Sequence, residues 1–327
     1  MFNPRQKIIL CCVLIIVPLS FLYMPYAQAA QIADYPDRPI NFIIPFPPGT
    51  PSDLVARLIT REAEKFLRQP LVPVNKPGGS LTLGVASVAA AKPDGYTIGL
   101  SIQGPLVVVP FIEKVSYHPV NDLRQIMQFG EDNFGVLVKA GSQFKSFKEF
   151  MDYARQNPKK LTLGRVSNTI PHFIMEMIFR KENIQLTQMP FKGANEYEAA
   201  LLGGHIDVFA GAFNYSLVEA GQTKPLLLLR ETRTAEFPQI PILQDVGYKD
   251  IPAPTALGVQ GPKGISDGIA QKIEEAFTLA MKEPAFVNGM HQVHQSVTYR
   301  SGKELSDYVT NNYQLFGKKL KEMGFAK

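Results

Sequence analysis

The chain has 327 residues, with 34 Lys and Arg against 29 Asp and Glu, two Cys and no Trp, which gives a formal net charge of +5. Both cysteines, Cys11 and Cys12, lie in an N-terminal apolar run, so the rest of the chain has no thiol for a disulfide framework, a cysteine nucleophile or an iron–sulfur cluster. So small a charge does not indicate nucleic-acid binding, and about 300 residues suit two domains.

The N-terminus has the pattern of a secretory signal peptide. Arg5 and Lys7 precede the apolar run Ile8–Leu22, and small residues at Ala27 and Ala29 suit cleavage near Ala29. The alternative is an uncleaved membrane anchor, but a run of about fifteen residues is shorter than the roughly 20 that a spanning helix needs. Cleavage would remove two basic residues and no acidic one, which lowers the net charge from +5 to +3.

After this segment, strand-like apolar runs alternate with amphipathic helical runs, which is typical of an α/β protein with mostly parallel sheets. The first strand is predicted at Ile40–Phe46, and Thr50, Pro51 and Asp53 then form the N-cap and first turn of a helix. Further strands are predicted at Tyr96–Ile102, Val136–Lys139, Leu161–Gly164, Ile206–Phe209, Leu226–Leu229 and Ala256–Val259.

Two later helices begin with capping boxes. Ser146 with Glu149, and Ser301 with Glu304, have the spacing in which a hydroxyl caps the helix and an acid three residues on reaches back. These helices are predicted to end near Gln156 and near Met323. No linker separates the domains, as expected where a chain crosses between lobes more than once.

One motif suggests an enzyme. Gly264–Gly268 matches the G-x-S-x-G pattern, so an exported serine hydrolase using Ser266 with His291 or His294 is an alternative. The pattern lacks the preceding strand of a nucleophile elbow, and Ser266 also fits an N-cap for a helix at Ile269–Met281. The two histidines lack a third metal ligand, and neither a metal site nor a cofactor is predicted.

Two strand-to-helix loops could bind an anion. They are Pro45–Asp53 and Gly164–His172, and each precedes a helix whose first turn presents unpaired N–H groups. Open α/β sheets bind ligands at such carboxyl ends of strands. One loop in each of two lobes is the arrangement that a carboxylate clamp needs.

A series of short motifs extends along the chain in a fixed order. They are Tyr35–Ile40, Pro45–Asp53, Asn75–Gly84, Pro93–Thr97, Tyr117–Leu123, Phe191–Gly193 and Leu202–Asp207. Together they resemble the extracytoplasmic solute receptors of tripartite tricarboxylate transporters, also called Bug receptors. Pro93–Thr97 matches the P-D-G-Y-T of that family without change.

The resemblance implies a two-lobed Venus-flytrap protein with no catalytic role and no cofactor. Lobe 1 is expected at 30–132 plus 256–327, and lobe 2 at 133–255. Such a periplasmic monomer would close over a small organic carboxylate and deliver it to a two-component integral membrane permease. A ligand sensor without a transport role is a further alternative.

The resemblance also implies which residues contact the ligand. In the first lobe they are Phe46, Pro47, Pro48, Gly49, Thr50, Ser52 and Asp53, and Ser101 is a further predicted contact. In the second they are Gly164, Arg165, Ser167, Asn168, Thr169 and His172, and Asp207 is a further predicted contact.

This chain departs from the family pattern in both loops. Thr50 replaces a glycine, Pro47 and Pro48 replace small residues and so remove two N–H donors, and Ser167 replaces a glycine. Arg165 stands where a serine is expected. A guanidinium can hold a carboxylate through two parallel hydrogen bonds, so we expect Arg165 to bind an acidic ligand, such as the second carboxylate of a dicarboxylate. The alternative is an arginine that faces solvent or pairs with a neighbouring acid.

Overall fold

Two β-sheets flanked by helices make up the computed structural model, which describes residues 35–234, 237–293 and 295–326. The predicted signal peptide at 1–29 and His294 lie outside these ranges. Within them, no helix has both the length and the apolar character needed to cross a bilayer.

The strands and helices alternate along most of the chain. The strands are β1 Ile40–Ile44, β2 Leu71–Asn75, β3 Thr97–Ile102, β4 Leu123–Glu131, β5 Phe134–Lys139, β6 Thr162–Val166, β7 Thr187–Phe191, β8 Val208–Ala212, β9 Thr223–Leu228, β10 Ala256–Pro262 and β11 Ser296–Ser301. The helices are α1 Pro51–Leu67, α2 Thr82–Ala89, α3 Gln103–Val107, α4 Val109–Ile112, α5 Phe147–Gln156, α6 Ile170–Glu182, α7 Ala194–Leu202, α8 Tyr215–Glu219, α9 Asp267–Ala280, α10 Pro284–Gln292 and α11 Gly302–Glu322, with a short 3-10 helix at Leu243–Val246.

Local capping chemistry fixes where several helices begin. The hydroxyls of Thr50, Ser266 and Ser301 each accept the N–H three residues ahead, as predicted. Ser146 also caps α5, but the Glu149 carboxylate accepts the N–H of Lys145 at 2.8 Å, so the expected reciprocal box at Ser146 was wrong. The backbone at Ser146 has a φ of −143°, against −61° at Ser301, where the reciprocal box is complete.

Both sheets are mixed rather than mostly parallel. The first has the order β11-β4-β10-β3-β1-β2, and the second has the order β7-β6-β8-β5-β9. In the first, β10 is antiparallel to β3 and β4; in the second, β5 is antiparallel to β8 and β9. The physical reason is that β5 and β10 each begin at the edge of their sheet that faces the other sheet. The parallel strands end at this edge, so β5 and β10 run in the opposite direction.

The strand directions bring the carboxyl edges of the two sheets together. Strand β4 runs parallel to β1 and β3, and only Asp132 and Asn133 separate its end from the start of β5. Strand β5 begins at the edge where β6 and β8 end. The loop after β1 and the loop after β6 therefore lie on facing edges.

A buried ion pair lies at this crossing. Glu131, at the end of β4, binds Arg230, which follows β9, and each side chain is only 2% exposed. Arg230 also donates to the side chain of Asn133 at 2.9 Å, and Arg300 on β11 lies 3.3 Å from the Glu131 carboxylate. The crossing is thus held by charge-assisted hydrogen bonds as well as by backbone.

Candidate ligand-binding site

The facing edges present two helix N-termini across the crossing between the sheets. The first loop, Pro45–Thr50, leads from β1 into α1, and the second loop, Ser167–Thr169, leads from β6 into α6. Helix geometry leaves the N–H groups of each first turn without carbonyl partners and gives them partial positive charge. An anion between the two edges can therefore be attracted by both helix N-termini.

Asp53 is the centre of a network that shapes the first loop. Its carboxylate accepts hydrogen bonds from the Gly49 N–H at 2.8 Å, Arg57 Nε at 3.0 Å and Asn75 Nδ2 at 2.7 Å. Asn75 also donates to the Phe46 carbonyl at 2.9 Å and accepts from Arg57 at 2.7 Å. The network ties α1, β2 and the loop together.

The electrostatics of Asp53 follow from these contacts. Burial alone would raise the pKa of the carboxyl, but the hydrogen bonds from Arg57, Asn75 and the Gly49 N–H outweigh it and lower the pKa. The side chain is only 2% exposed. Asp53 thus stays ionised and is fully used in holding the loop, which leaves it no oxygen aimed at a ligand.

The other residues of the first loop either hold its backbone through hydrogen bonds or lie at its surface. The Thr50 hydroxyl donates to the Pro47 carbonyl at 2.9 Å and accepts the Asp53 N–H at 3.4 Å, so it is occupied. Pro47, Pro48 and Gly49 are exposed, and Phe46 is partly buried. The half-buried Ser52 has no hydrogen-bond partner for its hydroxyl in the part of the chain described, which makes it the open hydroxyl of this loop.

A glycine allows α2 to pack tightly under the first loop. A Cβ added to Gly84 would lie 2.8 Å from Pro45 Cβ and 3.0 Å from the Lys76 carbonyl oxygen. Any side chain here would displace the loop. The family-like spacing of Asn75 and Gly84 therefore has a structural basis, since both residues fix the path of the loop.

His172 fixes the second loop. It is 7% exposed, and its Nδ1 accepts the N–H of Asn168 at 3.2 Å. Burial, with a smaller contribution from the Arg165 charge, lowers the pKa of His172 to about 4. The imidazole is therefore neutral at pH 7, which the acceptor role of Nδ1 requires.

The second loop, Ser167–Thr169, has an unusual backbone. Asn168 has a φ of +60°, in the left-handed region that asparagine tolerates better than most residues. The Thr169 hydroxyl donates to the Val166 carbonyl at 2.9 Å and does not cap α6. Among the described residues, the Asn168 side chain has no hydrogen-bond partner and is exposed.

Arg165 is held in the site by neutral groups. Its Nε donates to the Gln188 side-chain oxygen and its Nη1 to the Ser167 hydroxyl at 2.6 Å. Gln188 in turn donates to Glu176, which fixes its amide orientation. Burial lowers the pKa of Arg165, and the charge of Glu176 opposes this. Within the described chain no carboxylate contacts the guanidinium directly. Arg165 therefore does not form the direct pair with a neighbouring acid that was the alternative.

His172 makes stability depend on pH. Its pKa is about 4 in the folded chain against an ordinary 6.5, so below pH 6.5 the unfolded chain gains a proton that the folded chain refuses. We expect the free energy of unfolding to fall by about 1.4 kcal/mol per pH unit from this residue between about pH 6.5 and 4. The free energy of unfolding, measured by urea denaturation, should therefore fall by about 2 to 3 kcal/mol more in the wild type than in His172→Asn when the pH is lowered from 7 to 4.5.

The matched control for that measurement is His205→Asn, which replaces an exposed histidine. This control should keep the wild-type pH dependence. A wild type and a His172→Asn variant with the same dependence would contradict the burial of a neutral imidazole at this position.

The structure does not bring three predicted contacts to the open face of the site. Ser101 is fully buried and its hydroxyl donates to Gln125 at 2.6 Å, inside the first sheet. Asp207 precedes β8 and binds the N–H and hydroxyl of Thr162 at 2.8 and 2.7 Å, at the opposite edge of the second sheet. Gly164 lies within β6, where a Cβ would lie 3.2 Å from Tyr197 Cβ, so it serves packing.

The hydrolase alternative is excluded by the position of its serine. Ser266 is the N-cap of α9, and its hydroxyl accepts the Ile269 N–H at 3.4 Å. No strained strand-to-helix elbow is formed, because the preceding strand β10 ends at Pro262 and a turn follows. His291 lies on α10, and His294 is outside the described residues.

A groove beside the first sheet offers no competing anion site. It has a volume of about 570 Å³ and lies between α9 and β11, lined by residues that include Glu274, Glu275 and Tyr299. None of the residues lining it belongs to either loop. Its carboxylates would repel an anionic ligand.

Sequence reasoning missed the residues that support the loops. Arg57, Asn75 and Gln188 were not among the predicted contacts, although each holds a residue that was. The i, i+4 spacing of Asp53 and Arg57 was a usable signal. Gln188 comes from a different strand than Arg165, and nothing local connects them.

Comparison with known proteins agrees with this architecture. The family described as "Tripartite tricarboxylate transporter family receptor" matches residues 55–325. The "UPF0065 protein in gbd 5'region" of Cupriavidus necator is 32% identical over 311 residues, 94% of each chain. A TctC solute-binding protein from Polaromonas has a TM-score of 0.78 at 25% identity, over 88% of this chain and 99% of that one. MatC of Rhodopseudomonas palustris, solved with malate, has a TM-score of 0.73 at 23% identity, over 88% and 100%. The two-lobed α/β fold is confirmed.

Proposed function

This chain belongs to the family of tripartite tricarboxylate transporter receptors, and from that premise we propose that it captures a small organic carboxylate and delivers it to a two-component membrane permease. Members of the family are solute-binding receptors and not enzymes. The proposed receptor is a periplasmic monomer whose lobes are 30–132 plus 256–327 and 133–255. The ligand lies between them.

The observation that carries the proposal is the pair of loops on facing edges. In the first, Asp53 and Asn75 lock the backbone; in the second, His172 does so. Both loops therefore hold the helix N-termini that follow them in a fixed geometry, which reduces the entropy lost on binding. A ligand that reaches both loops binds the closed arrangement better than the open one, and this difference drives closure.

Arg165 narrows the ligand class. Its Nη2 has no hydrogen-bond partner in the described chain, and its charge lacks a directly bound acid. One carboxylate can bind the helix N-termini while a second binds the guanidinium. The proposed ligand is therefore a dicarboxylate of small size.

A thermal-shift screen of organic acids tests the proposed function. The compounds should include malate, succinate and adipate, matched monocarboxylates, aromatic acids and acidic amino acids. A true ligand present at 100 times its dissociation constant should add about 2.7 kcal/mol to the free energy of unfolding. If no organic anion in the panel stabilises the protein, the carboxylate receptor proposal is wrong.

Arg165→Met should weaken the binding of dicarboxylates more than the binding of monocarboxylates. A charge-assisted hydrogen bond contributes about 1.5 to 3 kcal/mol, so we expect calorimetry to give about a 10- to 100-fold weaker dissociation constant for the dicarboxylate. The matched monocarboxylate should change by less than about threefold. Arg155→Met is the control, because Arg155 pairs with Asp152 and Glu182 on exposed helix surface. Equal losses for both acids would reject a selective role.

A further inference from the structure

The C-terminal segment Met323–Ala326 turns back after α11 and reaches α6. Helix α11 follows β11 of the first sheet, whereas α6 belongs to the second. Gly324 has a φ of +73°, and the Phe325 N–H donates to the Leu320 carbonyl at 2.9 Å. This helix-ending turn, of the kind that glycine favours, fixes the direction of Phe325.

Several contacts hold this segment against α6. Arg180 donates to the Met323 carbonyl at 2.9 Å, and its guanidinium lies 5.1 Å from the centroid of the Phe325 ring. The Phe325 ring packs edge to face on Phe173, with 5.3 Å between centroids. Lys319 on α11 and Lys181 on α6 share Asp250, at 3.7 and 2.9 Å.

The same aromatic ring lies beside the histidine that orders the second loop. The centroids of Phe325 and His172 are 6.5 Å apart and the ring planes cross at 70°. His172 in turn accepts the Asn168 N–H. Two contacts therefore separate the C-terminal segment from the loop at the N-terminus of α6.

We propose that Phe325 is a positioning residue for the ligand, which acts by holding His172 and through it the Ser167–Thr169 loop. The inference rests on the proposed function for its ligand, but its first step is a property of the free protein. Phe325 forms part of the apolar wall around the imidazole. Its removal admits water to His172, weakens the acceptor role of Nδ1 and loosens the loop before any ligand arrives.

This arrangement also makes the ligand loop sensitive to the position of α11. A movement of the first lobe against the second shifts Phe325 relative to His172, because the ring is attached to α11 and the histidine to α6. Loop order and lobe closure are then coupled through one aromatic contact. The C-terminal segment is a component of the site although it touches no ligand.

The test compares Phe325→Ala with the conservative Phe325→Leu and with Leu315→Ala. Leu315→Ala is the control, because Leu315 is an exposed residue of α11. The first readout is the pH titration of the His172 imidazole by NMR, with the Asn168 amide signal, in the free protein. The second is calorimetry with malate and with adipate as probes. The melting temperature confirms that each variant is folded.

We expect Phe325→Ala to move the imidazole pKa from about 4 toward 6.5, to shift the Asn168 amide signal, and to weaken probe binding by about 3- to 10-fold, the range of an aromatic pair contact. Phe325→Leu should keep all three quantities close to their wild-type values, and Leu315→Ala should match the wild type. An unchanged imidazole titration overturns the inference. So does a changed titration with unchanged affinity.

Failure of the proposed function would look different. If neither probe binds the wild type, the free-protein signals of His172 and Asn168 decide whether Phe325 holds the loop. Their shift in Phe325→Ala, with rescue in Phe325→Leu, supports the positioning role, and their constancy overturns it.

Discussion

Replacing Glu131 with Gln is expected to lower the free energy of unfolding by about 3 to 5 kcal/mol, because it leaves a buried guanidinium without its counter-charge. Arg230 is 2% exposed, and its Nε already lacks a hydrogen-bond partner among the described residues. The pair joins the end of β4 to the segment after β9, so its loss acts on the crossing between the lobes. Urea denaturation followed by circular dichroism measures the change.

The exposed Glu275→Gln is the matched control for Glu131→Gln and should change stability by less than about 0.5 kcal/mol. A double variant, Glu131→Gln with Arg230→Met, removes both charges. It should be less destabilised than the two single changes added together, since no unpaired charge remains. A loss below about 1 kcal/mol for Glu131→Gln would mean that water reaches the pair and that the crossing is looser than described.

Asp53→Ala should abolish most ligand binding without touching the ligand. The carboxylate holds the Gly49 N–H, Arg57 and Asn75, so its removal leaves three donors without an acceptor and frees the Pro47–Gly49 backbone. A fully buried donor left unpaired costs about 1 to 3 kcal/mol, and because Gly49 and Arg57 are exposed and can bind water, we expect a total of about 2 to 4 kcal/mol. Carboxylate affinity should fall at least about 10-fold.

Asp307→Asn is the control for this second variant, since Asp307 forms an exposed i, i+4 pair with Lys303. Calorimetry gives the affinity and urea denaturation the stability. If Asp53→Ala keeps wild-type affinity, then the first loop either does not contact the ligand or does not depend on its scaffold. A first loop that does not contact the ligand would remove the first lobe from the proposed site, whereas a loop that does not depend on its scaffold would reject the role given to Asp53.

Features set by neighbouring residues could be predicted from the sequence. Thr50, Ser266 and Ser301 cap their helices because capping depends on hydroxyls and amides within one turn. The two loops were located correctly at strand-to-helix junctions for the same local reason. The series of family-like motifs along the chain predicted the two-lobed fold.

Features set by distant residues could not be predicted. Strand β4 was missed because Gln125, Gln128 and Glu131 hide its apolar pattern, although all three are buried and bonded to side chains of other elements. Asp207, a predicted contact that belongs to a family-like motif, lies at the opposite edge of the second sheet, because it precedes β8 and β8 runs parallel to β6. Buried polar networks and strand order were thus the limits of prediction.

One two-dimensional NMR titration tests the central claim that a single ligand joins both loops. The amides of Ser52, in the first turn of α1, and of Thr169, at the start of α6, report on the two lobes separately. Addition of a stabilising dicarboxylate should shift both signals with the same midpoint concentration. A shift confined to one loop, or two different midpoints, would contradict a ligand held between the lobes.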